Sequence, residues 1–216
     1  MNISEIINNY RAELGPNVTL VAISKTKPSS DILEAYNTGQ KIFGENKIQE
    51  MAEKWEKLPK DIEWHMVGHV QTNKVKYMAP FVSLVHAVDS LKLLKEIDKE
   101  AKKNNRTINC LLQIKIAEED SKFGLSIEDA RKILTSREFK ELDHVKVTGL
   151  MGMATFTNDM EQIKNEFQYL KENFDSIKNE NPNLETLSMG MSSDYKIAVE
   201  CGSNMVRIGS AIFGER

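Results

Sequence analysis

Cysteine is almost absent. Two residues, Cys110 and Cys201, stand far apart in unrelated contexts among 216, so no disulfide framework holds the chain, and the abundance of Lys, Glu and Asn fits a reducing cytoplasm. Both are expected to be free thiols. An excess of one charge is lacking too. With 29 basic and 32 acidic residues interspersed, the net charge is −3, which offers no polyanion-binding field and argues against nucleic-acid binding. No apolar run approaches the length of a membrane span. The N-terminus lacks the basic flank and apolar core of a signal peptide and reads as a short amphipathic helix capped by Asn2 or Ser4. The expected location is the cytoplasm.

What remains is ordinary for a globular protein: 40% apolar and 28% charged residues, in a chain long enough to bury a large core. Apolar segments alternate between short β-like runs and longer helical ones. Strands are expected at 18–24, 41–44, 63–67, 84–88, 110–116, 146–151, 186–189 and 205–208. Helices are expected at 29–38, 47–57, shortly after Val70, and at 91–104, 127–136, 160–179 and 194–200. No composition break or linker divides them. The pattern predicts an α/β fold, a single (β/α)8 TIM barrel over residues 1–216, with an open doubly wound sheet as the alternative. Little chain follows the last strand, so no eighth helix is expected there. The extra N-terminal helix, residues 2–13, is expected to cover the flank at the closing seam.

In a barrel, chemistry gathers where strands end. The first strand ends at Lys25, followed by Thr26, Lys27 and Pro28. This amine is either a solvated exit residue or a nucleophile on a rigid element. The seventh strand ends in Ser188-Met-Gly-Met-Ser-Ser193 and the eighth in Arg207-Ile-Gly-Ser210. Barrels frequently bind phosphate with these two loops: Gly190 and Gly209 let backbone approach an anion, Ser188 and Ser210 offer hydroxyls, and a helix opening near Ser193-Asp194 presents N–H groups. Barrel closure sets strand eight beside strand one, which brings Lys25 to the phosphate loops. An amine there suits a Schiff base with a phosphorylated carbonyl compound, its pKa lowered by desolvation or by a cation such as Arg207. A sugar phosphate in an aldolase and pyridoxal 5′-phosphate both satisfy that description. For an aldolase, Glu45 is the plausible acid/base carboxylate.

At these residues the chain resembles the YggS/PROSC family, the pyridoxal phosphate homeostasis proteins. The resemblance rests on Val21-Ala-Ile-Ser-Lys-Thr-Lys-Pro28, Phe43-Gly-Glu-Asn46, Glu63-Trp-His-Met-Val-Gly-His-Val-Gln-Thr-Asn-Lys74, Leu187-Ser-Met-Gly-Met-Ser192 and Met205-Val-Arg-Ile-Gly-Ser-Ala-Ile-Phe-Gly214. It implies a barrel of the alanine racemase N-terminal-domain type with the cofactor held as an aldimine on Lys25. The phosphate then falls to Ser188, Met189, Gly209 and Ser210, the ring nitrogen to Arg207, and Asn46 is a further cofactor contact. Ser210 replaces a Thr often found there and keeps the hydroxyl. The resemblance implies a carrier or buffer in vitamin B6 homeostasis, with no robust turnover and no catalytic residue. The second base of a racemase comes from an additional domain not seen here, and an arginine at the ring nitrogen weakens the electron sink. A racemase-like enzyme using the same cofactor is the alternative. Partners implied are the cofactor and, transiently, apo-enzymes that use it; a monomer is expected.

The remaining candidates read as structural. His65 and His69 straddle Gly68 at a strand end, so no metal site is expected. His69 belongs on the rim and His86 in the barrel core, while His144 precedes a strand at the surface. Asn73 and Lys74 open a polar helix that reaches a phosphate or a partner, or is simply solvated. Lys122, on the long loop after strand five, is a secondary aldehyde acceptor or a solubilising residue. Met151, Met153, Met189 and Met191 pack the mouth.

Overall fold

A computed structural model describes residues 2–118 and 123–214. In chain order the elements are α1 (Ile3–Leu14), β1 (Thr19–Ile23), α2 (Ser29–Asn37), β2 (Ile42–Glu45), α3 (Ile48–Lys57) and β3 (Glu63–Met66). A 3-10 turn (Thr72–Lys74) then leads into α4 (Val75–Met78), β4 (Leu84–Val88), α5 (Leu91–Lys103) and β5 (Ile108–Ile114). The rest is α6 (Ile127–Thr135), α7 (Arg137–Lys140), β6 (Val145–Gly152), α8 (Met160–Glu180), β7 (Thr186–Ser188), α9 (Tyr195–Glu200), β8 (Met205–Ile208) and α10 (Ser210–Phe213). The strands form a closed parallel barrel in sequence order, sealed by β1 against β8 with Val21 opposite Arg207 and Ala22 opposite Ile208. This is the (β/α)8 TIM barrel expected from the alternation.

Side-chain parity builds two cores. Val21 and Ile23 point into the barrel with Leu84, Leu111, Met151 and Met205. Leu20 and Ala22, on the other face of the same strand, join Phe43, Trp64, Leu93 and Phe167 in the larger layer under the helices. A strand in a barrel is buried on both faces, which is why β1 reads as an apolar run and β4 as one interrupted only by His86.

The N-terminal helix lies where the alternation required. Asn2 caps α1 through a reciprocal pair with Glu5, and the helix packs on α2, α10 and β1. Glu13 accepts a hydrogen bond from the Tyr195 hydroxyl at 2.9 Å, and the Tyr10 and Tyr195 rings meet edge to face, so α1 bridges α2 and α9 across the seam. Contrary to expectation, a helical turn, α10, does follow β8; at one turn it leaves the flank to α1. Strand β5 begins two residues before the expected 110, where Ile108 N–H donates to His144 O, and pairs with β6 through an irregularity at Cys110/Leu111. Ser136 ends α6 and caps α7, a helix that hydrophobic period alone missed.

Candidate functional site

Lys25 follows β1 by two residues in a tight turn and is half-buried. The turn is held from both sides. Ser24 N–H donates to Gly44 O, and the Ser24 hydroxyl donates to Glu45 Oε1 at 2.6 Å. From α3, Lys54 Nζ donates to Ser24 O at 2.7 Å and pairs with Glu45 at 2.8 Å and Glu50 at 2.7 Å. Thr26 takes a left-handed conformation, φ 63°, uncommon for a β-branched residue, and its N–H is fixed by Glu50 Oε1 at 2.6 Å. On the other side, Lys27 Nζ donates to Phe213 O in α10 at 2.7 Å.

The carboxylate of Glu45 faces this helix layer, not the mouth. Its neighbour Gly44 points inward, where a Cβ would meet Val21 and Ile23 side chains, so Glu45 must point outward. It is fully buried, its Oε2 has no partner among the described residues, and burial raises its pKa. The role of acid/base beside Lys25 therefore falls away, and with it the aldolase alternative's relay.

Inside the barrel, a chain of polar groups crosses between strands. Arg207 in β8 donates through Nη1 to Ser188 Oγ in β7 at 2.6 Å and through Nη2 to Gly152 O in β6 at 3.0 Å. Ser188 Oγ lies 3.1 Å from His86 Nδ1, and His86 Nε2 lies 3.0 Å from His65 Nδ1. All four side chains are at most 5% exposed. Burial lowers the His65 pKa to about 3, takes His86 well below its ordinary value, and lowers Arg207 to about 10. Arg207 thus stays a cation, hydrogen-bonded to two neutral oxygens, with the Asp194 carboxylate near enough to favour its charged form. A buried guanidinium held by neutral acceptors is expensive, and it suits a further acceptor or anion.

The loops after β7 and β8 are tied together, since Gly209 N–H donates to Ser192 Oγ at 3.3 Å. Gly209 permits the close seam: a Cβ there would lie 3.1 Å from Ile23 Cβ. Gly190 takes φ 98° against α9, which begins at Tyr195 rather than 194. Asp194 Oδ1 accepts from Met191 N–H at 2.5 Å. In α10 no side chain caps the start, so first-turn amides such as those of Ser210 and Ala211 lack intrahelical acceptors, and Ser210 itself is exposed.

Of the residues singled out from the sequence, Lys25, Gly209 and Ser210 gather at one end of the β1–β8 seam, with Arg207 below them. Ser188 is brought to Arg207 and spends its hydroxyl there and on His86. Met189 is fully buried in the layer under the helices, and its N–H is directed to Met205 O and Ser203 Oγ. Asn46 follows β2 and lines a cleft of about 190 Å³ with Lys47, His69 and Lys74. His69 is indeed on the rim, paired with Asp89 at 3.3 Å and stacked on Phe123. Lys122 lies outside the described residues. The link of His65 to His86 and the Lys54 clasp were missed. Strand parity, which sets His65 with Val67 and His86 with Leu84 on the inner face, was the available signal.

Comparison with known proteins places the chain firmly. The model of the family "Alanine racemase, N-terminal domain" matches residues 2–216. The chain is 41% identical over 210 residues to the pyridoxal phosphate homeostasis protein of Aquifex aeolicus (strain VF5), covering 95% of this chain and 91% of that one. With that of Haemophilus influenzae it shares 39% over 204 residues, 92% of this chain and 85% of the relative. The structure of PipY from Synechococcus elongatus PCC7942 with PLP bound superposes with a TM-score of 0.90 at 32% identity, over 99% of this chain and 100% of PipY.

Proposed function

The chain belongs to the alanine racemase N-terminal-domain family and, within it, to the pyridoxal phosphate homeostasis proteins, and on that footing we propose that it holds pyridoxal 5′-phosphate at the mouth of one barrel spanning residues 1–216. Lys25 supplies the amine that takes the aldehyde as a Schiff base. Gly209, Ser210 and the first-turn amides of α10 take the phosphate, and Arg207 takes the ring nitrogen. Ser188 acts on the cofactor through Arg207, and Met189 by packing the wall under the phosphate loop; Asn46 contributes from the β2 end. When bound, the cofactor supplies a reactive aldehyde and an electron sink.

The residues present fit this ligand. The observation that carries the reading is the buried Arg207 guanidinium, hydrogen-bonded to the neutral oxygens of Ser188 and Gly152, one strand from the lysine-bearing turn. A phosphorylated compound with an acceptor ring nitrogen answers that cation, and a clamped turn keeps the amine at the seam.

The same groups hold more than they turn over. His65 and His86 are buried and neutral, Glu45 faces away, and the Arg207 guanidinium, a donor at the ring nitrogen, disfavours protonation there. We therefore assign a homeostatic, monomeric carrier in the cytoplasm that meets apo-enzymes transiently, rather than a racemase. No helix among the described residues is long and apolar enough to cross a membrane. Titration with pyridoxal 5′-phosphate should give a visible absorbance in wild type that Lys25→Ala loses, with no exchange of an amino acid's α-proton into deuterated solvent. Lysine-dependent exchange at an enzymic rate contradicts the carrier assignment, and absence of binding at saturation contradicts the ligand.

A further inference from the structure

The interior chain that ends on Arg207 uses each of its protons when it runs in one direction. A guanidinium donates and cannot accept, so Ser188 Oγ accepts from Arg207, and a His86 with its proton on Nε2 gives the serine proton an acceptor at Nδ1. His86 then carries its proton on Nε2 and donates to His65 Nδ1, which assigns the same tautomer to His65. Both rings must be neutral for this order to hold. A protonated His86 would set two donors on one serine oxygen and leave the serine proton without an acceptor. The surroundings enforce neutrality: Val21, Ile23, Leu84, Leu111, Met151 and Met205 form an apolar shell inside the barrel, where hydrogen bonds are strong and unpaired charge is costly.

The guanidinium is thereby gripped by Ser188 on one nitrogen and by Gly152 O on another. Two of its five N–H donors are used in this way. Without an acceptor at His86 Nδ1, the serine proton has no place within the chain, and the hydroxyl is free to rotate and release Arg207.

We infer that His65 and His86 are positioning residues of the cofactor site: through Ser188 they hold Arg207 in the orientation that meets an aromatic ring nitrogen bearing a lone pair and no proton. This rests on pyridoxal 5′-phosphate being the ligand. The chain then sets a specificity, since an all-donor partner rejects a ring that presents C–H or N–H at that position.

The test compares pyridoxal 5′-phosphate with its 1-deaza analogue, whose ring carries C–H in place of the nitrogen, by dissociation constants from spectroscopic titration of the full chain. Wild type should favour pyridoxal 5′-phosphate by about tenfold or more, the value of one hydrogen bond to a charged group. His86→Leu and Ser188→Ala should bring the ratio close to one. His86→Asn, whose amide oxygen replaces Nδ1 as acceptor, should keep most of the preference. A general loosening of the barrel weakens both ligands alike and leaves the ratio unmoved, so the ratio separates positioning from mere stability. Wild-type discrimination retained in His86→Leu overturns the inference, and if that variant does not fold, the same result in Ser188→Ala does so. Equal binding of both ligands by wild type also overturns it while sparing the cofactor assignment. A wild type that binds neither overturns the cofactor assignment itself.

Discussion

Lowering the pH from about 7.5 to 5 should destabilise the barrel through its two interior histidines. An unfolded chain presents His65 with a pKa near 6.5, whereas burial holds it to about 3 in the folded state. Below pH 6.5 the unfolded state therefore binds a proton that the folded state refuses. Stability is fully present above the unfolded pKa and is lost as pH falls toward the folded one, at a limit of about 1.4 kcal/mol per pH unit for each such group. At pH 5 the loss from His65 alone is about 2 kcal/mol, and His86, depressed in the same direction, adds to it. Glu45 works the other way, because its folded pKa is raised. A comparison of wild type with His65→Asn cancels that contribution, since both proteins keep Glu45. Asn also keeps an acceptor near the position of Nδ1. Urea unfolding followed by tryptophan fluorescence, at half-unit steps across this range, should show the wild-type slope between pH 5 and 6.5 exceeding that of His65→Asn by about one proton. Identical slopes in the two proteins would refute the assignment of His65 as buried and neutral.

Two other perturbations probe the turn and the seam. Lys54→Met strands Glu45 in a fully buried position between Ser24 and the helix layer; it should cost about 3–5 kcal/mol in urea unfolding, and adding Glu45→Gln should recover a large part. Gly190→Ala forces an L side chain to φ 98° with its Cβ 2.6 Å from Ala198 Cβ; a loss of about 2–4 kcal/mol by thermal unfolding is expected, and a loss under 1 kcal/mol would mean the loop after β7 yields easily.

Much of the barrel was legible because burial on both faces of a strand leaves apolar runs such as 18–24, set between helical stretches along the whole chain. Lys25 and Arg207 stood out as charges where runs of apolar residues predict none. The start of β5 was not legible, since Ile108 joins the sheet only through its pairing with Val145 at the start of β6 and its hydrogen bond to His144 just before it. Nor was α7, which depends on one serine serving two helices. The contact of His86 with Ser188 joins residues 102 positions apart and exists only once the barrel is closed. Glu45 is different: the parity of Gly44 and Glu45 already points the carboxylate outward, and proximity to a strand end was the weaker guide.

The central claim is that Lys25 carries the cofactor. Borohydride reduction of protein saturated with pyridoxal 5′-phosphate, followed by peptide mass analysis, tests it most directly: a phosphopyridoxyl mass on the peptide containing Lys25 is predicted, and labelling confined to other lysines would contradict it.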